Sequence, residues 1–156
     1  MDRYKEFTML LNKISKNIRR IKDIEMAKFN LKSSHMTCIY FLYKEKYMTS
    51  KELCDACEED KSIISKSLKS LEKKGFIECL EDVKKRYNSR FTLTDKGILV
   101  GKEIAEKVDE ILKDACEGID FENLTIFYQG LSKININLEK AYKEKYGNEL
   151  GEENNE

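Results

Sequence analysis

The chain has 156 residues, 40% of them hydrophobic and 37% charged, with no proline. That suffices for one domain with a substantial core and is too apolar for a disordered or proline-rich linker protein. No run of about 18 apolar residues occurs, which excludes a membrane-spanning helix, and the charged opening Met1-Asp2-Arg3-Tyr4-Lys5-Glu6 lacks the apolar stretch of a signal peptide, so the expected location is cytoplasmic.

Residues 4–28 place Tyr4, Phe7, Leu11, Ile14, Ile18 and Ile21 at alternating steps of three and four, an apolar stripe on a long helix, with Lys13, Lys16, Arg19 and Arg20 off it. Leu31-Lys32-Ser33-Ser34 breaks that pattern and offers serines as caps. Met36, Ile39, Tyr40, Leu42 and Tyr43 then predict a second, strongly apolar helix ending near Lys46. Thr49-Ser50-Lys51-Glu52 is a capping box, in which the hydroxyl and the carboxylate each accept from an otherwise orphaned backbone N–H, and it opens a short helix to about Cys57. Asp60 is placed to cap a helix over 61–74 whose buried face is Ile64, Leu68 and Leu71, and Gly75 supplies its left-handed stop.

Residues 76–80 and 89–93 read as the two strands of a hairpin across the polar stretch 81–88. Thr94 or Asp95 caps a long helix to about Cys116, with Ile104, Val108, Ile111, Leu112 and Ala115 as its apolar positions. Gly118 breaks it, and Asp120 caps a last helix with Leu124, Phe127, Leu131, Ile134, Leu138 and Tyr142 on one stripe. The sequence from Gly147 onward reads as a flexible acidic tail. The expected fold is mainly α with a small β-hairpin wing: a single domain over 1–146, with a winged helix-turn-helix at about 31–97 and long helices at about 4–28 and 98–146. The stripes on those long helices expose more apolar surface than a small winged domain covers alone, so they are expected to pack between two protomers as dimerisation helices.

Twenty-nine basic and twenty-nine acidic side chains cancel, and net charge by itself argues against a nucleic-acid partner. The distribution argues the other way. Residues 61–74 hold five lysines and one acid, residues 84–96 hold five basic side chains and one acid, and residues 114–156 hold ten acids against four lysines. The two basic stretches fall on the second helix of a helix-turn-helix and on the hairpin behind it. Ser62, Ser65, Lys66 and Lys69 lie opposite the buried face of that helix, with Lys61 at its start. Small serines permit close approach to the major groove, lysines reach phosphates or guanine edges, and Ser62, Ser65 and Lys66 are the expected base readers. Lys84, Lys85 and Arg86 at the hairpin tip, with Arg90 beyond, are expected to hold the DNA backbone or enter the minor groove.

In these segments the sequence resembles the MarR-type transcriptional regulators, over roughly residues 4–142. The resemblance is carried by Ser50-Lys51-Glu52-Leu53-Cys54, by residues 60–68, by Leu71-Glu72-Lys73-Lys74-Gly75-Phe76-Ile77, and by Leu93-Thr94-Asp95-Lys96-Gly97, which is similar to the family's Leu-Thr-x-x-Gly. It implies a homodimer held by the first and last helices, binding double-stranded DNA at a pseudo-palindromic operator, and a repressor that a small aromatic effector relieves. Six residues separate Arg86 from Leu93, one more than the family pattern has, so Tyr87 stands where the pattern has arginine. Glu58 and Glu59 occupy turn positions that usually hold glycine and an apolar residue, and no cysteine precedes Cys38, whereas the family's peroxide sensors carry one in the first helix.

Five cysteines, an odd number, fit no closed disulfide framework and are expected as reduced thiols. Cys54-x-x-Cys57 reads as core packing rather than as a zinc or redox pair, since zinc needs further ligands and His35 is the single histidine. Cys116, near a helix end, is the thiol expected to be most exposed. His35 is expected as a polar surface or capping residue, and the stretch Tyr40-Phe41-Leu42-Tyr43 as core, with the lining of a ligand pocket as its alternative. No phosphate loop, metal motif or nucleophile–base arrangement occurs, so no catalytic residue, metal or cofactor is assigned, and an enzyme is not expected. Two rivals remain: a winged-helix module that has lost DNA binding and contacts proteins, favoured by Glu58-Glu59 and the acidic tail, and a thiol-redox enzyme resting on Cys54 and Cys57.

Overall fold

Among the described residues, six helices and three strands follow one another as α1 (Arg3–Ala27), α2 (Ser33–Glu45), β1 (Tyr47–Thr49), α3 (Ser50–Cys57), α4 (Lys61–Lys73), β2 (Ile77–Cys79), β3 (Arg90–Leu93), α5 (Asp95–Ala115) and α6 (Phe121–Tyr146). The structure, a computed structural model, describes residues 2–57, 59–80 and 89–147. The chain divides into two compact units, Met1–Glu110 and Ile111–Glu156.

In the first unit, α2, α3 and α4 pack on one another and on the strands. Ile39, Leu42, Leu53, Ile64 and Leu71 are at most 1% exposed. Burying each such side chain contributes roughly 1.5–3 kcal/mol, which makes this cluster the element that holds the helix-turn-helix together. The face expected for α4 is the one buried: Ile64, Leu68 and Leu71 lie inward, and Ser67 joins them. In the second unit α6 buries no residue.

The sheet has three strands rather than the two expected. β1 pairs antiparallel with β3 in the register Tyr47↔Thr92 and Thr49↔Arg90, and β3 pairs with β2 in the register Ile77↔Leu93 and Cys79↔Phe91. β1 is three residues long, too short to display an alternation of period two, and its pairing is set by a partner more than 40 residues away. The Thr92 hydroxyl fixes the crossing by donating to the Lys46 carbonyl at 2.8 Å.

Local capping follows the sequence closely in most places. The Thr49 N–H donates to Glu52 Oε2 at 2.7 Å and the Glu52 N–H donates to Thr49 Oγ1 at 3.2 Å, the two halves of the expected box. Asp120 Oδ1 accepts from the Asn123 N–H at 2.9 Å. Gly75 has φ +74°, a left-handed conformation that side chains with a Cβ resist. Two caps differ from expectation. Asp60 takes the N-cap position of α4 without a capping side-chain hydrogen bond. At α2 the serines do not cap: the Lys32 N–H donates to His35 Nδ1 at 3.0 Å, and His35 is buried rather than on the surface.

The segment Leu93–Gly97 welds the hairpin to the helices. The Thr94 hydroxyl donates to the Gly75 carbonyl at 2.7 Å and accepts from the Gly97 N–H at 3.2 Å, so Thr94 caps α5. The Thr94 N–H donates to the Phe76 carbonyl at 3.1 Å. A Cβ on Gly97 would stand 2.0 Å from that same carbonyl oxygen, which is why the position takes glycine. Lys96 lies 4.0 Å from the centre of the Phe76 ring and donates to the Lys74 carbonyl at 3.0 Å. The end of α4, the start of β2 and the start of α5 are thereby one rigid corner.

Candidate nucleic-acid interface

Amphipathic α4 is fixed by its buried leucines and isoleucine, and the opposite face is left bare. Lys61, Ser62, Lys66 and Lys69 are exposed and Ser65 is half-exposed. No acidic residue lies between Lys61 and Leu71, so the outward face combines positive charge with hydroxyl donors short enough for base edges. Ile63 is 38% exposed at the side of this face.

Arg90, expected beyond the hairpin tip, is the first residue of β3 and pairs with Thr49 of β1. Its guanidinium stacks 4.8 Å from the centre of the Tyr47 ring. It also stands near Glu52, whose carboxyl is held below its usual range first by the Thr49 N–H and hydroxyl bonds and secondarily by Arg90. Arg90 remains exposed, so the cation is oriented by the ring while still presented outward. Lys84, Lys85, Arg86 and Tyr87 lie outside the described residues, as do Glu58 and the tail from 148 on. Glu59 and Asp60 are exposed beside the N-terminus of α4.

The cysteines are arranged differently from their spacing in sequence. Cys38 is fully buried, while Cys54, Cys57, Cys79 and Cys116 are all half-buried. Cys57 lies beside Cys38 of α2, whose thiol donates to the Ser34 carbonyl at 3.8 Å. The neighbouring Cys57 and burial push the Cys38 thiol far up, and the Cys38 thiol draws that of Cys57 down. Burial and the neighbouring Asp55 push the Cys54 thiol up. Among the described residues no group of three or more His, Cys, Asp or Glu is placed to hold a metal ion. No helix among them is long and apolar enough to cross a membrane.

Among the described residues of the first unit, cavities open at two places, the first beside Leu42 and Tyr43 of the aromatic stretch. One, of about 340 Å³, is lined by Leu42, Tyr43, Lys46, Thr92, Leu93 and Ile98. The other, of about 200 Å³, lies between the start of α2 and the side of α4 and includes Lys32, Ser34, His35, Lys66, Ser67 and Ser70. The sequence signal for the second was the polar run Lys32-Ser33-Ser34-His35, legible as a helix start but silent about which residues of α4 would face it.

A three-helix core, a basic outward helix and an antiparallel hairpin behind it define a winged helix-turn-helix protein. Residues 31–97 match the winged helix DNA-binding domain family. The chain as a whole has the fold of the MarR-type regulators. It superposes with a TM-score of 0.79 on a MarR protein from Peptoclostridium difficile, at 19% identity over 92% of this chain and 93% of that one. A MarR family regulator from Neisseria meningitidis gives 0.77 at 20% identity, covering 92% of this chain and 99% of that one. A MarR family transcriptional regulator from Listeria monocytogenes, complexed with 26mer DNA, gives 0.76 at 20% identity, covering 94% and 96%. No curated protein matches the chain by sequence.

Proposed function

We propose that this chain is a DNA-binding transcriptional regulator, a homodimeric repressor of MarR type that places α4 of each protomer in the major groove of a pseudo-palindromic operator. The observation that carries the reading is the bare face of α4, serine and lysine without an acid, held rigid by the leucines beneath it. Ser62 and Ser65 reach base edges, Lys61, Lys66 and Lys69 supply charge at the groove, and Lys84, Lys85, Arg86 and Arg90 hold the backbone through the hairpin. The 26mer DNA complexed with the Listeria protein supports DNA as the ligand.

Dimerisation is supported by apolar surface that each unit leaves uncovered. Leu11, Ile14 and Ile18 of α1 are 40–49% exposed, and Phe127, Leu138 and Tyr142 of α6 are 50–58% exposed. Soluble monomers rarely leave such stripes bare. The two α4 helices of a dimer would then meet successive major grooves, roughly 34–36 Å apart. For the effector, the 340 Å³ cavity beside Tyr43 and Lys46 has the size and the apolar lining of a small-molecule site, with one cation to face an aromatic acid. Function as a single domain over 1–146 in the cytoplasm completes the reading.

Selection of duplexes from a random pool, with gel shifts on the DNA beside its own gene, tests the proposal. Enrichment of an inverted repeat supports it. A folded dimer that enriches nothing at low salt overturns it in favour of the protein-contact module.

A further inference from the structure

The 200 Å³ cavity between α2 and α4 has the chemistry of an anion site. Six of its lining residues are Lys32, Ser34, His35, Lys66, Ser67 and Ser70, and no carboxylate lines it. Lys74 adds a third cation beside His35, anchored by donating to the Asn30 carbonyl. At the start of α2 the N–H groups of Ser33 and Ser34 have no intrahelical acceptor, and the helix dipole points its positive end here.

The buried imidazole is an independent indication. His35 is 3% exposed, and its Nδ1 accepts from the Lys32 N–H, which assigns the ring proton to Nε2. Among the described residues no acceptor meets that Nε2–H, yet no buried side-chain nitrogen or oxygen there lacks a partner. The N–H therefore opens onto solvent, and the opening that the ring borders is this cavity. Ser34 and Ser67 stand across it with their hydroxyls 3.4 Å apart. The Ser67 hydroxyl donates to Ser34 Oγ, which leaves the Ser34 O–H, the His35 N–H and lysines from two elements as the donors of a space with no carboxylate. In liquid water one molecule takes about 30 Å³, so the space holds a tetrahedral oxyanion with room for solvent.

We infer that this notch binds a phosphate group, with Lys32 and Lys66 neutralising it and the Ser34 hydroxyl, held by Ser67, and His35 Nε2–H donating to its oxygens. If the phosphate belongs to the DNA backbone, the inference deepens the reading above and gives α4 a clamp that fixes its depth in the groove. A free phosphate or phosphorylated metabolite would instead be an effector seated against the recognition helix.

His35 is the single histidine of the chain, so its ¹⁵N-detected imidazole signal reports the notch without interference. Inorganic phosphate titrated into the full chain without DNA should shift the Nε2 signal saturably. It should also raise the pKa of an imidazole that burial, Lys74 and Lys32 hold down, since an anion favours the charged ring. Lys32→Gln, at an exposed position, should abolish both changes while leaving the folded spectrum intact. That result supports a free-phosphate source. With a DNA duplex in place of phosphate, a shift of the same signal supports the backbone source. In that case Lys32→Gln lowers the log affinity against log salt slope by about one unit. Should His35 respond to neither probe, or shift only linearly with ionic strength in wild type and variant alike, the site does not exist. Normal operator binding with a silent His35 and an unchanged slope overturns the notch alone. Absence of any DNA binding overturns the regulator reading and leaves the phosphate titration to decide the notch.

Discussion

Helices α4 and α6 are both amphipathic, and they meet opposite fates. In α4 the apolar positions Ile64, Leu68 and Leu71 are consumed by the chain's own core, so what remains outward is a polar, cationic face. In α6 the stripe through Phe127, Ile134 and Leu138 stays at least 40% exposed. A helix whose apolar side is satisfied at home offers its polar side to a ligand. One whose apolar side is not satisfied offers that side to another chain. On that contrast rests the proposal of DNA for one helix and of a second protomer for the other.

The largest expected effect tests the satisfied half. Leu71→Ala should cost about 2–5 kcal/mol, because a fully buried leucine leaves both its transfer energy and a cavity. Gly97→Val should be comparably severe, since its Cβ collides with the Phe76 carbonyl, a backbone atom that cannot swing aside. Urea unfolding followed by circular dichroism measures both. Losses below about 1 kcal/mol would mean that α4 is not held as described.

The unsatisfied half is tested next. Phe127→Asp with Leu138→Asp should halve the mass seen by light scattering while preserving helical content, and operator affinity should fall with the loss of the second half-site. A double variant that stays dimeric would remove α6 from the interface and undo the comparison.

Within α4, alanine at Ser62 and Ser65 should weaken operator binding by about 1–3 kcal/mol and binding to random duplex far less. Alanine at Lys84, Lys85 and Arg86 should weaken both alike and flatten the salt dependence by about one unit per lost phosphate contact. Titrations of both sets on both duplexes at several salt concentrations sharpen the comparison. Parallel losses from the helix set would reduce α4 to a positioning element.

The smallest effect concerns the entry to α3. Thr49→Ala should cost about 1 kcal/mol by removing a helix cap. Glu52 is held below the usual carboxylate value of 4.5 by its bonds to Thr49. With a depressed folded-state pKa, its contribution is complete above about pH 4.5 and is lost as pH falls through the folded value. The Thr49→Ala protein should therefore lose less stability than wild type when acidified below pH 4.5. Equal acid losses, read by thermal melts across pH, would show that the box is not energetically coupled.

Much of the molecule was legible from residue order alone. Spacing of apolar residues located the helices, because a period of 3.6 is a local property that each helix writes into its own sequence. The capping box at Thr49–Glu52, the left-handed stop at Gly75 and the cap at Asp120 are likewise settled within four residues of chain. So was the bare face of α4, which follows from knowing its buried one. Tertiary structure decided what depends on distant partners. β1 exists because β3 is there to bond it, and Gly97 is glycine because Phe76 passes beneath it. Cys57 lies beside Cys38 because α3 packs on α2. His35 became a buried cap with one free N–H because Lys32 folds back over it, and the serines of α2 meet those of α4 only when the two helices pack. Period and capping energies act over a few residues, whereas contacts between elements depend on the packing of the whole core, and no single stretch of sequence contains that information.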